Sequence, residues 1–141
     1  MGEDKIFLAL KNQLSELERL RHTVAEFGQR HRLPARLLFE TNLALEEIVV
    51  NIISYGFEDE QDADIWVGLC LAQGELRAEV QDNGKAFNPL EMPPPDTEQP
   101  LEQRSVGGLG LHLVRTLMDE VVYQRQDNRN ILTLKKKVRE S

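Results

Sequence analysis

The stretch VQDNGKAFNP, residues 80–89, follows a run of alternating apolar and polar residues that predicts a β-strand. Asp82 ends that strand and can accept hydrogen bonds from an amino group, while Gly84 removes the side chain that would block a flat ligand. The alternative is a surface turn, in which the Asn-Gly pair supplies the positive φ angles. Ala86 and Phe87 argue slightly against it, since a surface turn does not need them. Taken alone the stretch favours a turn, so motifs elsewhere in the chain are needed to distinguish a turn from a binding site.

The chain before this stretch predicts a strand, two helices and a hairpin. Apolar residues at a spacing of two in DKIFLALKN predict a half-buried first strand. Apolar residues at helical spacing predict an amphipathic helix from Ser15 to about His31 and a second helix from about Pro34 to Tyr55. The alternating runs ADIWVGLCLA and GELRAEVQD are joined at Gln73-Gly74, which predicts an antiparallel hairpin.

The chain after this stretch predicts a loop, a helix and a second hairpin. PLEMPPPDTEQPLEQRS has no periodicity, and such long loops in compact domains are usually lids, binding loops or linkers. Because glycine-containing turns flank it, we expect a lid at about residues 88–106. VGGLGLHLVRTLMDE predicts a helix opened by glycines. VVYQRQDNRNILTLKKKV predicts a hairpin that turns at Asp127 to Asn130, with Leu132 and Leu134 facing inward.

Length and composition indicate one acidic domain, residues 1–141. The 17 basic and 24 acidic residues give a net charge of −7, which opposes broad attachment to nucleic acid or anionic lipid. The single cysteine excludes an internal disulfide framework and any multi-cysteine zinc site. Nothing resembles a signal peptide or a membrane-length apolar run, so the expected location is the cytoplasm, without direct contact to nucleic acid or membrane.

The second predicted helix carries polar residues beside its apolar arc. Glu40, Glu47 and Asn51 line up on one side, and Glu47 and Asn51 are stacked neighbours one turn apart. A carboxylate and a carboxamide in register suit a hard cation such as Mg²⁺, or one base beside one metal ligand. The alternative is a solvated helix face, which is the usual setting of Glu and Asn on a helix.

The stretch GGLGLHLV, residues 107–114, opens the last predicted helix with three glycines. Successive free N–H groups and the positive end of the helix dipole would form a cradle for an anion. The stretch matches neither the Walker lysine loop nor a Rossmann turn, and a flexible hinge explains it about equally well.

The order of these three patches resembles a known set of motifs. A Glu-x-x-x-Asn helix, Asp-x-Gly after a strand, a lid, and Gly-x-Gly-Leu opening a helix mark the Bergerat-type ATPases, which include gyrase, Hsp90, histidine kinases and MutL. Within that superfamily the chain looks most like the short bacterial anti-sigma-factor serine kinases, through EEIVVNIISYGF, DNGKAFNP and GGLGLHLVRTLMDEV. The resemblance implies an α/β two-layer sandwich, with a mixed, mostly antiparallel sheet and helices on one face.

The resemblance also implies a role for each matching residue. Glu47 corresponds to the general base and Asn51 to the residue that holds Mg²⁺ between the ATP phosphates. Asp82 corresponds to the aspartate that bonds the adenine amino group, with Gly84 beneath the ring. The remaining nucleotide-binding positions are Ala86 beside the nucleotide and the phosphate-binding turn of Gly108, Leu109, Gly110 and Leu111.

The function implied is ATP-dependent phosphorylation of a serine on a small anti-sigma-factor antagonist, together with binding of a sigma factor. The alternative is a switch module that uses ATP only to set its conformation and sequesters a partner without phosphorylating it. An ATP-binding pseudo-enzyme or a hydrolase is a third possibility. Leu43 and Val50 lie on the flank opposite the main apolar arc, and close relatives dimerise, so we expect a homodimer.

The chain departs from the superfamily pattern at three places. Ala86 stands where many members have glycine, and Tyr55 where close relatives often have histidine. NRNILTL lacks the Gly-Thr that commonly precedes the final strand, and Thr133 is the nearest substitute for an adenine contact.

Overall fold

The computed structural model describes residues 4–55, 64–84, 86 and 113–138. These ranges contain β1 (Asp4–Lys11), a 3-10 turn (Leu14–Glu16), α1 (Leu17–His31), α2 (Ala35–Tyr55), β2 (Asp64–Ala72), β3 (Glu75–Asp82), β4 (Glu120–Gln126) and β5 (Arg129–Lys137). Residues 113–117 form a further helical turn ahead of β4. The predicted strands and helices are confirmed within these ranges, except that the first predicted helix opens with a 3-10 turn.

The five strands form one sheet in the order β1-β2-β3-β5-β4. Each pairing between neighbouring strands is antiparallel, which confirms the expected mostly antiparallel sheet. β3 pairs with β5 and not with β4, the next described strand in the chain. Residues far apart in the sequence therefore meet along the β3–β5 ladder, and one end of that ladder contains Asp82.

Both hairpins close with two-residue turns whose backbones lie in the left-handed region. The φ angles are 53° and 73° at Gln73-Gly74, and 52° and 62° at Asp127-Asn128. Such turns match the right-handed twist of the strands they join. The predicted second turn, Asp127 to Asn130, is therefore too long. Asn130 already belongs to β5, where it pairs with Arg125 of β4.

The core lies between the helices and one face of the sheet. Alternate residues of β3 and β5 point into it. Gly28 of α1 allows a close approach to α2, because a Cβ there would overlap the Leu38 side chain. Leu132 and Leu134 face inward as predicted. The buried apolar side chains are Leu10, Leu20, Val24, Phe27, Leu37, Ala44, Leu45, Ile48, Val49, Ile52, Ile65, Val67, Leu69, Leu76, Ala78, Val80, Val114, Met118, Leu132 and Leu134.

The opposite face of the sheet is more exposed. Phe7 of β1 is 67% exposed and Val122 of β4 is 42% exposed. Across the part of the chain that the structure describes, no helix is both long enough and apolar enough to span a membrane.

Candidate nucleotide-binding site

Asp82 is a buried carboxylate at the end of β3, only 4% exposed. It is in phase with Leu76, Ala78 and Val80, so its side chain lies on the helix-covered side of the sheet. Its Oδ1 accepts hydrogen bonds from the Gly84 N–H at 2.9 Å and from Asn130 Nδ2 at 3.0 Å. The first bond closes a local Asx turn, which sets the path of the chain after the strand. Two donors on one oxygen hold the carboxylate in one orientation.

Asn130 is held by a network of its own. Its Oδ1 accepts hydrogen bonds from the Tyr123 hydroxyl at 2.5 Å and from an Arg125 guanidinium nitrogen at 3.1 Å. Because both donors point at the oxygen end of the amide, the Nδ2 end has to face Asp82. Three residues of the last hairpin therefore orient a carboxylate that lies 48 positions before Asn130 in the chain.

Asn130 is absent from the predicted site because the sequence pattern places it in the turn of the second hairpin. Thr133, the substitute it considered, lies on the other face of the sheet and lines an open groove of about 390 Å³ with Phe7 and Arg77. A signal was available in the alternation of β5. Asn130 is two residues before the inward-facing Leu132, so it shares the core-facing side.

The loop after Asp82 is tied to the sheet by Arg125. The same guanidinium nitrogen that contacts Asn130 donates to the Gly84 carbonyl at 2.9 Å, and Gly84 is buried. Asn83 Oδ1 accepts a hydrogen bond from the Asp64 N–H at 3.0 Å, while Ala86 is exposed. The predicted adenine end of the site is therefore a loop held in place by β2 on one side and by β4 on the other.

Burial raises the pKa of the Asp82 carboxyl above its ordinary value of 3.8. The hydrogen bonds from Asn130 and Gly84 and the charge of Arg125 oppose that increase without cancelling it. The folded protein therefore holds this carboxylate at a cost in stability, and such costs concentrate at functional sites.

The predicted pair on α2 lies partly in the protein interior. Asn51 is 4% exposed, and its Nδ2 has no hydrogen-bond partner in the part of the chain that the structure describes. Glu47, one turn earlier, is partly exposed. The burial of Asn51 contradicts a simple solvated face, and a buried amide without a partner indicates a place where a ligand can supply one. Since α2 packs against β3, the pair and Asp82 belong to adjacent elements.

Glu40, predicted on the same side of α2, has a different role. Its carboxylate forms ion pairs with Lys136 of β5 at 2.9 Å and with Arg36 at 2.8 Å. Hydrogen bonds from Lys136 and then from Arg36 lower the pKa of Glu40 below its ordinary value of 4.5. Glu40 therefore joins α2 to the sheet.

Part of the predicted site lies outside the described residues. This applies to the lid at about 88–106 and to the phosphate-binding turn of Gly108, Leu109, Gly110 and Leu111. The side chain of Tyr55 is also outside them. The helix predicted after the glycines is described at residues 113–117, where Val114 is buried in the core.

Comparisons with known proteins identify the family. The histidine kinase-like ATPase domain matches residues 10–136. The serine/threonine-protein kinase BtrW of Bordetella bronchiseptica is 36% identical over 105 residues, which are 74% of this chain and 74% of that protein. The serine-protein kinase RsbW of Listeria monocytogenes serovar 1/2a is 30% identical over 122 residues, 84% of this chain and 78% of the relative.

Solved structures show the same fold. The RsbU and RsbW domains of Rv1364c from Mycobacterium tuberculosis superpose with a TM-score of 0.72 at 17% identity, covering 98% of this chain and 33% of that longer one. The family match and the relatives define the class, an ATP-binding serine/threonine-protein kinase. The chain belongs to the histidine kinase-like ATPase family, and its resemblance to the anti-sigma-factor serine kinases is confirmed.

Proposed function

We propose that the chain transfers the γ-phosphoryl group of ATP to a serine of a small anti-sigma-factor antagonist. The observation that carries this proposal is the buried Asp82 carboxylate, held by Asn130 and Gly84 at a cost in stability. The kinase names of the relatives BtrW and RsbW support the same reaction class.

Asp82 would recognise the adenine base. The bonds from Gly84 and Asn130 go to Oδ1, so we assign Oδ2 to the exocyclic amino group of adenine. A carboxylate facing an amino group makes a charge-assisted hydrogen bond, and the same oxygen would face the carbonyl of guanine unfavourably. The fixed orientation of Asp82 would therefore make the site selective for ATP.

Asn51 would hold Mg²⁺ with the phosphates. Its Oδ1 is the kind of oxygen ligand that Mg²⁺ prefers. Its buried Nδ2, which has no hydrogen-bond partner among the described residues, can donate to a phosphate oxygen. The described residues contain no cluster of three or more His, Cys, Asp or Glu that could hold a metal by itself. One protein ligand is still a good fit, because Mg²⁺ in such sites is bound mainly by phosphate oxygens and water. Once bound, the ion would neutralise negative charge on the phosphates.

Glu47 would act as the general base. In the proposed reaction its carboxylate takes the proton of the serine hydroxyl while the serine oxygen bonds to the γ-phosphorus. The bond between the γ-phosphorus and the bridging oxygen breaks, and ADP leaves with that oxygen. Glu47 is partly exposed on α2, so a hydroxyl on another protein can approach it.

The further partners belong to the same proposal. A sigma factor and a second copy of the chain in a homodimer are the binding partners we assign. We place the chain in the cytoplasm, because a kinase needs the cytoplasmic supply of ATP.

The experiment that tests the kinase function is incubation of the purified chain with radiolabelled Mg-ATP and antagonist proteins from the same genome. Transfer of label to a serine supports the kinase function; ATP binding without transfer to any antagonist favours the switch module.

Replacement of Asn130 by leucine is expected to weaken ATP binding about tenfold, because Asp82 loses one of the two donors that orient it. Asn130→Thr should retain most of the affinity, since a hydroxyl can still donate to Asp82. Isothermal titration with Mg-ATP measures both. Thr133→Val is the control on the opposite face of the sheet, and equal losses in Thr133→Val and Asn130→Leu would contradict the assignment.

A further inference from the structure

An exposed apolar stripe runs along one side of α2. Phe39 is 68% exposed, and Leu43 and Val50 on the same side are partly exposed. Leu43 and Val50 follow Phe39 by four and eleven positions, which places the three side chains in line on a helix of 3.6 residues per turn. We call Phe39, Leu43 and Val50 the α2 flank.

The α2 flank borders the proposed general base. Leu43 is four residues before Glu47 and Val50 is three residues after it, so both are its neighbours on the helix surface. A serine hydroxyl must come within about 3 Å of the Glu47 carboxylate to give up its proton. The protein that carries this serine must therefore cover the residues on either side of Glu47.

Two arginines flank the stripe with their charged ends toward solvent. Arg36 pairs with Glu40, and the arginine side chain is 90% exposed while that of the glutamate is 14% exposed. Arg21 of α1 pairs with Glu46, at 58% and 17% exposure. The glutamates are covered and the arginines are accessible, so the guanidinium group is the part of each ion pair that a partner can reach. An apolar centre with a charged rim, rich in Phe and Arg, is typical of protein interfaces.

We infer that the antagonist docks on the α2 flank, with an apolar patch over Phe39 and acidic residues facing Arg21 and Arg36. The inference rests on the proposed kinase function, since it places the acceptor protein of that reaction. A second copy of the chain on this flank would block the approach of a hydroxyl to Glu47. The acceptor, and not a second copy, is therefore the occupant that the site requires.

The test compares two exposed phenylalanines. Phe39→Ala removes the centre of the flank, and Phe7→Ala removes a side chain of nearly equal exposure, 67% against 68%, on β1. The substrate is the antagonist that becomes labelled in the phosphotransfer assay. Phe39→Ala should raise the KM for this antagonist at least about tenfold, as expected for an aromatic interface anchor, with kcat and the KM for ATP unchanged. Phe7→Ala should leave all three constants unchanged.

Arg36→Glu provides a second variant that does not depend on the phenylalanine. It should raise the KM for the antagonist by a similar factor, and added salt should narrow its difference from the wild type, because the lost attraction is electrostatic. Arg36→Glu and Phe39→Ala should both keep the wild-type affinity for Mg-ATP, which shows that the nucleotide site is intact.

The outcomes separate the docking surface from the kinase function. If the wild type transfers label to no antagonist, the proposed kinase function is wrong, and so is the docking surface that rests on it. If the wild type labels an antagonist and Phe39→Ala has an unchanged KM, only the docking surface is wrong. A loss of sigma-factor binding alone in Phe39→Ala, or conversion of a dimer to a monomer in light scattering with unchanged KM, would assign the flank to another partner and overturn the inference.

Discussion

Asp82→Asn is expected to weaken the binding of Mg-ATP at least about 100-fold. Oδ1 accepts from Gly84 and Asn130, so in the variant the amide oxygen has to take that place and the amide NH₂ has to replace Oδ2. A donor would then face the amino group of adenine, and the charge-assisted bond would be lost. About 3 kcal/mol of lost binding energy corresponds to roughly a 100-fold change in affinity. Isothermal titration measures it directly.

Titration with Mg-GTP is the control for this variant. Guanine carries a carbonyl where adenine carries the amino group, so the NH₂ of Asp82→Asn can donate to it. The ratio of the affinities for ATP and GTP, which should be high in the wild type, should therefore be much smaller in the variant. Equal losses for both nucleotides would indicate general damage to the pocket, and unchanged affinity for ATP would remove Asp82 from the site.

The same substitution should stabilise the fold without ligand. The pKa of Asp82 is higher in the folded chain than in the unfolded chain, so the unfolded state releases its proton first as the pH rises. The stability that this group contributes is complete below the ordinary value of 3.8 and is lost as the pH rises through the folded pKa. Asparagine carries no titrating carboxyl, so the Asp82→Asn variant does not lose this stability as the pH rises. Its melting temperature at pH 7 should therefore be a few degrees above that of the wild type. The difference should narrow toward pH 4, which thermal denaturation across pH can follow.

Glu47→Gln is expected to reduce kcat for phosphotransfer to the antagonist by about 10² to 10⁴, since removal of a general base has effects of this size. Glutamine has nearly the same shape but cannot take the proton of the serine hydroxyl. The affinity for Mg-ATP should remain within about a factor of two, because the proposed role of Glu47 begins only when the acceptor arrives.

Glu26→Gln is the matched control for this prediction. It makes the same change of charge at an exposed position of α1 and should keep the wild-type kcat. A Glu47→Gln variant that transfers phosphate at the wild-type rate would exclude Glu47 as the base. Binding of a sigma factor to Glu47→Gln at wild-type strength would show that binding and catalysis are separate properties of the chain.

The helical part of the site could be predicted because its geometry is local. Glu47 and Asn51 are four residues apart, and helix periodicity alone makes them neighbours. What periodicity could not supply is the difference in burial between them. Asn51 is 4% exposed because of what packs against α2, and that packing depends on the whole chain.

Asp82, at the end of a strand, was likewise predictable only in part. Its place at the end of β3, followed by a glycine two residues later, could be read from the sequence, because alternation and turn chemistry act over a few residues. Its hydrogen-bond partner Asn130 could not be identified from the sequence in this way. Asn130 lies 48 positions away, and the sequence pattern places it in a turn, since the two-residue turn at Asp127-Asn128 becomes visible only when the hairpin register is known.

The sequence by itself determined the elements and the local residue pairs: the strands, the helices, the Glu47–Asn51 pair and the Asp82 loop. The tertiary structure alone decided that β5 lies between β3 and β4, which brings Asn130, Tyr123 and Arg125 to Asp82. The physical reason is that hydrogen bonds within helices and tight turns link residues a few positions apart. Strand order is instead set by which distant surfaces bury the most apolar area together, and a short window of sequence does not contain that information.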